Sequence, residues 1–190
     1  MKPETRKEVM FAGFGGQGIV TAGYITGQAA VVYDDKEAVL TQVYGPEARG
    51  SSCYSGVVID QKEIDYPYLV TPQVMVIMSQ GAYKEFLPKL QQGGALIVDS
   101  TIVKPDKLAE RYRLYKVPAT EIAEKMGARI IANIIMLGFL GKIWDAVSVE
   151  ALREAVKANV PKKHLELNLK AFQTGVKLGE KALKRKIIEC

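Results

Sequence analysis

The chain has 190 residues, 48% hydrophobic and 25% charged, with two cysteines and a formal net charge of +5. That length and balance suit one domain (residues 1–190) with a sizeable core and exclude a disordered chain. Two cysteines, Cys53 and Cys190, are too few for a disulfide framework, a four-thiolate zinc site or an iron–sulfur cluster, and fit a reduced, cytoplasmic protein. Val9 to Gly13 reads as a buried first strand, and Gln17 to about Tyr33 as the next helix, rich in small residues (Ala22, Gly23, Gly27, Ala29, Ala30) that let it lie close to a sheet. Ala38 to Val43 follows as a strand. Tyr44 to Ser52 is then a loop broken by Gly45, Pro46 and Gly50. Tyr54 to Ile59 is a strand, with a hairpin turn at Asp60-Gln61-Lys62 into Glu63-Ile64.

Val74 to Met78 and Ala95 to Asp99 are short apolar runs that suit buried parallel strands, with a helix over Ala82 to Leu90 between them. Leu114 to Val117 is one more strand. From Thr120 the pattern turns helical: Glu121 to Met126, Ile130 to Ile143, Ala151 to Asn159 (with Ser148 as its cap) and Leu165 to Lys186. The expected fold is α/β: a mostly parallel, Rossmann-like three-layer sheet with some antiparallel edge and a helical C-terminal third. The charged start, Met1 to Glu8, does not read as a secretory signal. The longest apolar stretch, Ile130 to Gly141, carries Asn133 and is too short to span a bilayer. Basic residues crowd only near the end (Lys177, Lys181, Lys184, Arg185, Lys186), as on a solvated helix whose cations complement its dipole. No stacking aromatics accompany them, so neither a membrane nor a nucleic-acid partner is expected.

The chemistry concentrates in two segments. Gly13-Phe14-Gly15-Gly16-Gln17-Gly18 joins the first strand to the first helix, and its glycines fit G-x-G-x-x-G. A helix that starts there leaves unpaired N–H groups suited to a phosphate. The acid that would bind a dinucleotide ribose belongs at the far end of the second strand. That end carries Thr41, Gln42 and Val43, whereas Asp35 and Glu37 precede the strand. The second segment presents Tyr44, Glu47 and Arg49 within six residues, at a sheet edge where α/β proteins place their crevice. Arg49 suits a carboxylate or phosphate, with Glu47 to orient it; the plain alternative is a surface turn with a local ion pair. The single histidine, His164, excludes a His-based zinc site, and no nucleophile–base set surrounds it. Cys53 reads as a small buried thiol, and Asp99 as either a ligand-facing carboxylate or a turn cap.

These motifs together resemble the gamma subunit of the 2-oxoacid:ferredoxin oxidoreductases. The matching pieces are Gly13 to Ile19, Tyr44 to Gly50, the segment around Asp65-Tyr66-Pro67, Met78-Ser79-Gln80, Asn133 to Gly138 and Asn168 to Gly175. Ser51 stands where the family usually has a second glycine. The resemblance implies a complex that oxidatively decarboxylates a 2-oxoacid, with 2-oxoglutarate favoured, to its acyl-CoA. It also implies thiamine diphosphate and iron–sulfur clusters on alpha, beta and cluster-bearing partner subunits, ferredoxin as acceptor, and no cofactor of this chain's own. No catalytic residue and no metal ligand are expected here. The candidate binding residues are Gly13, Gly15, Gly16, Gln17, Gly18, Tyr44, Glu47 and Arg49, facing coenzyme A or a neighbouring subunit. The competing expectation is a stand-alone NAD(P)-dependent oxidoreductase that uses the glycine turn for a dinucleotide.

Overall fold

The computed structural model describes residues 5–43 and 52–188, so Tyr44, Glu47 and Arg49 lie outside the described residues. Six strands are formed by Lys7–Phe14 (β1), Glu37–Val43 (β2), Ser52–Asp60 (β3), Val74–Ile77 (β4), Ala95–Asp99 (β5) and Arg113–Val117 (β6). They make one sheet in the order β2-β3-β1-β4-β5-β6. β1, β4, β5 and β6 pair in parallel, while β3 is antiparallel to both β1 and β2, so five of the six strands point one way. The antiparallel member therefore sits one place inside the edge rather than at it.

The strands were legible as apolar runs because both faces of the sheet are covered. Val9, Phe11, Val74, Val76, Ala95 and Ile97 enter one core. The alternate residues Met10, Ala12, Met75, Ile77, Leu96 and Val98 enter the other. The first face carries the helices Ile19–Gln28 (α1), Ala119–Lys125 (α3), Ala132–Ile143 (α4), Val149–Asn159 (α5) and Leu165–Ile188 (α6). The second face is thinner, covered by Gln80–Phe86 (α2), two short 3-10 turns and Leu69, which lies over Gly56. The result is three layers with a helical C-terminal third.

The helical layer closes on glycine. A Cβ at Gly138 of α4 would strike the carbonyl oxygen of Phe172, and one at Gly175 of α6 would strike that of Ile135. Backbone meets backbone along this seam. Gly23 of α1 does the same against β3, where a Cβ would lie 2.5 Å from Ser55 Oγ. Ser55 in turn donates to Ile19 O at 2.8 Å, which satisfies a fully buried hydroxyl.

Two expectations need correcting. Residues Glu63 and Ile64 form no strand, so Asp60-Gln61-Lys62 is a turn without a hairpin partner. The segment that follows is captured from below instead. Arg6 donates to the carbonyls of Tyr66 (2.8 Å) and Tyr68 (2.7 Å), and Glu8 accepts from the N–H groups of Val70 and Thr71 (2.8 and 2.9 Å). Glu8 is only 2% exposed, and its 2.7 Å pair with Arg6 compensates the buried charge. The second correction concerns α1, which ends at Gln28; Ala29–Tyr33 continues as a wider π-type turn.

Candidate functional site: the glycine turn at the carboxyl edge

The parallel strands all end at one edge. Phe14 is in register with Ser52, and Val43 with Tyr54, so the ends flanking residues 44–51 also reach that edge. Between β1 and β4 the chain's connections part in opposite directions, α1 leading to β2 on one side and β4 to β5 on the other. Such a switch point leaves a crevice where α/β proteins bind ligands. The glycine turn lies there, beside the start of α4.

The glycines divide into two kinds. Gly13 and Gly18 are needed for packing. A Cβ at Gly13 would sit 2.5 Å from Gln17 Oε1, and Gly18, left-handed at φ 73°, has the Asn133 side chain where its Cβ would be. Gly15 and Gly16 face open space, and Gly16 is left-handed at φ 88°. Gln17 holds the turn shut from within. Its Oε1 accepts from Phe14 N at 2.7 Å, and its Nε2 donates to Met78 O at 2.7 Å, tying the end of β1 to the end of β4. Asn133 Nδ2 donates to Gly18 O at 3.2 Å. So Gln17 orients the turn, while Gly15, Gly16 and the first N–H groups of α1 remain available to a ligand.

A small cleft of about 180 Å³ opens on this turn, lined by Gly16, Gln17, Met78, Thr120, Arg129 and Ile130. Arg129 supplies its positive charge. The guanidinium is mostly exposed and pairs with Glu124 at 3.5 Å, so an anion at the turn would compete with that carboxylate. Sequence reading passed over Arg129 because no motif surrounds it; its neighbourhood to Gly16 exists only in the fold. Asp99, by contrast, is spent within the protein. It is fully buried and accepts from Thr120 Oγ1 (2.5 Å), Thr120 N and Thr101 N (both 3.1 Å), which is a turn cap.

A dinucleotide is poorly served. β3 lies between β1 and β2, and β2 runs parallel to β1, so Asp35 and Glu37 stand at the opposite edge from the glycines. Nearby, Asp34 accepts from Ser148 N and Oγ (2.6 and 2.7 Å), where it braces α5. Among the described residues no three His, Cys, Asp or Glu side chains gather to hold a metal, so these residues do not fit a cluster or metal centre. Cys53 is buried, and burial pushes its thiol above the usual range despite an opposing backbone hydrogen bond. His164 is exposed, with its carbonyl taken by Asn168 Nδ2. No helix of the described residues is long and apolar enough to cross a membrane.

Fold and site thus define a Rossmann-like α/β scaffold with an open glycine turn and no ribose-binding acid at its second strand. A family model described as pyruvate ferredoxin/flavodoxin oxidoreductase matches residues 8–178. The chain is 45% identical over 177 residues to the 2-oxoglutarate synthase subunit KorC of Methanocaldococcus jannaschii, covering 92% of this chain and 95% of that one. It superimposes on the gamma subunit of the keto/oxoacid ferredoxin oxidoreductase from Geobacter sulfurreducens PCA with a TM-score of 0.82. That pair is 36% identical and covers 95% of this chain and 98% of the other. The fold also recurs in the 2-oxoglutarate:ferredoxin oxidoreductase of Magnetococcus marinus, solved with 2-oxoglutarate, coenzyme A and succinyl-CoA. There the TM-score is 0.84 at 22% identity, covering 93% of this chain and 31% of that longer one. The chain belongs to the pyruvate ferredoxin/flavodoxin oxidoreductase family, among its gamma subunits.

Proposed function

We propose that this chain serves a cytoplasmic 2-oxoglutarate:ferredoxin oxidoreductase, in which it contributes assembly and binding rather than bond-making. The 2-oxoglutarate preference follows the KorC relative, whose likeness extends over nearly the full length of both chains. Thiamine diphosphate, which supplies the decarboxylation chemistry, and the iron–sulfur clusters that pass electrons to ferredoxin belong on alpha, beta and cluster-bearing partners. Gly13, Gly15, Gly16, Gln17 and Gly18, together with Tyr44, Glu47 and Arg49, form the face toward coenzyme A. Gly13, Gln17 and Gly18 shape the turn; Gly15 and Gly16 offer N–H groups; Arg49 is the residue to clamp a phosphate and Glu47 the one to orient it.

The observation that carries this reading is the open half of the turn. Gly15 and Gly16 face empty space and Gly16 shares a cleft with Arg129, and among the described residues no nucleophile–base pair or ribose acid stands beside them. Donors without reacting groups suit a ligand held for chemistry elsewhere. The Magnetococcus enzyme, 31% of whose chain shares this fold, was solved with coenzyme A bound, which supports coenzyme A as the ligand. Replacing Arg49 by Ala in the reconstituted complex should raise the KM for coenzyme A about ten-fold with kcat little changed, the signature of lost uniform binding. An unchanged KM in an intact assembly removes Arg49 from the ligand face. Saturable binding of NADH to the purified chain would instead restore the dinucleotide reading.

A further inference from the structure

The amino ends of the parallel strands gather at the sheet edge opposite the glycine turn. There the first residues of β1, β4 and β6 (Lys7, Val74 and Arg113) and the end of α4 border a cavity of about 630 Å³. Its lining is cationic: among the described residues it carries Lys7, Arg113 and Lys142 against one carboxylate, Asp145. The lysines are loosely paired. Asp145 lies 3.4 Å from Lys7 with its side chain 84% exposed, and Lys142 is 3.9 Å from Glu180, itself about half exposed. Ion pairs so open to water are weak, and an anion in the cavity competes with them at little cost. Arg113 is held differently. Its Nε donates to Gly93 O at 3.1 Å, which anchors the guanidinium, and no carboxylate among the described residues pairs with it. Its two terminal nitrogens suit a bidentate oxyanion.

Trp144 adds an independent observation. It follows α4 and forms part of the cavity wall at 7% exposure. Its indole Nε1 is sealed from solvent and has no hydrogen-bond acceptor, the one such side-chain atom among the described residues. A donor withdrawn from water without an acceptor is rare in a finished fold. A ligand oxygen seated against the indole supplies the acceptor that neither the protein nor bulk water gives it. Guanidinium, ammonium and indole can only donate, so all four side chains make the same demand: a ligand that accepts.

We propose that this cavity binds a small polyanion bearing carboxylate or phosphate groups. Its volume lies within the range of small-molecule sites. Arg113 holds one oxyanion group, Lys7 and Lys142 neutralise another, and Trp144 donates to an oxygen. The site stands at the far edge from the glycine turn, so it does not depend on the coenzyme A reading.

The chain's single tryptophan makes the site directly observable. Citrate as the carboxylate probe and inorganic pyrophosphate as the phosphate probe are titrated into the full chain while Trp144 emission is followed. Potassium chloride holds the ionic strength constant. One probe or both should give a saturable change that chloride alone does not, and the probe that responds separates the carboxylate source from the phosphate. Arg113→Gln, at an exposed position that does not threaten folding, should weaken binding about ten-fold through the lost charge-assisted bonds. Lys142→Gln should weaken it about three-fold, as a screened charge. Arg129→Gln, beside the glycine turn, should leave it within about two-fold, as a distant and independent site. Trp144→Phe keeps an aromatic ring and removes the N–H, so the rise in Tm that the probe gives the parent should shrink. An emission unchanged by both probes overturns the proposal. So does a saturable response that Arg113→Gln leaves as it was, because the anion then sits elsewhere.

Discussion

Glycine builds two regions of this molecule to opposite ends. Along the α4–α6 seam, Gly138 and Gly175 are filled space: a methyl group at either would collide with a backbone carbonyl of the other helix. At the tip of the turn, Gly15 and Gly16 are empty space, with nothing within 4 Å of a built Cβ. A glycine count in the sequence treats the two alike. The seam is where the residue's small size holds the fold together; the tip is where it leaves backbone donors uncovered.

The sharpest way to break that contrast is to add one methyl group to each region. Gly138→Ala or Gly175→Ala should cost about 3 kcal/mol or more, the upper end for overpacking, because rigid backbone and not a side-chain tip must move. For a chain of this size that is a fall in Tm of roughly 6–12 °C, read by thermal melting. A shift under about 2 °C would mean that the helices part easily and that the seam is not close-packed. Gly16→Ala should cost about 1–2 kcal/mol from its positive φ alone, with no steric addition. Its larger signature is a raised KM for coenzyme A in the assembled enzyme. Gly15→Ala, in open space and without a positive φ, should stay within about 0.5 kcal/mol of the parent in stability. If the two tip variants lowered Tm as much as the seam variants, the distinction would disappear.

The smallest expected effect lies away from both regions and serves as their baseline. Burial pushes the Asp60 carboxyl up, but hydrogen bonds from Thr5, Gln61 and Lys62 and the Lys62 charge together carry it below the ordinary value. A lowered folded value stabilises the protein above the usual carboxylate range and is lost as the pH falls through that lowered value. Asp60→Asn should therefore lower stability slightly at neutral pH and converge with the parent at acid pH, which flattens the acid limb of the stability curve. Chemical denaturation between pH 3 and 7 reads the difference.

How much of this was legible follows from where each signal is written. β1, β4 and β5 could be read from local apolar runs, and Ser148 as a cap, since its hydroxyl accepts from Ala151 N at 3.1 Å. The glycine turn was legible as a motif, but its division into packed and open halves was not, because that depends on Asn133 more than a hundred residues away. The hairpin at Asp60 was misread for a similar reason. The turn signal is real, with Asp60 Oδ1 accepting from Gln61 and Lys62 N–H groups. The backbone beyond it is taken by Arg6 and Glu8 instead of by β3. Arg129 carries no local pattern at all. Asn133 gave a partial signal, an amide inside an apolar run, yet its tie to the Gly18 carbonyl exists only in the fold.

The central claim is that this chain binds and assembles while its partners carry out the reaction. It is tested most directly by measuring coenzyme A-dependent 2-oxoglutarate oxidation, followed by ferredoxin reduction, in the full complex, in the complex lacking this chain, and in this chain alone. The account predicts turnover with the full set, a loss of at least about a hundred-fold without this chain, and none from the chain by itself. Oxidation of the 2-oxoacid, or reduction of a nicotinamide, by the isolated chain would contradict it.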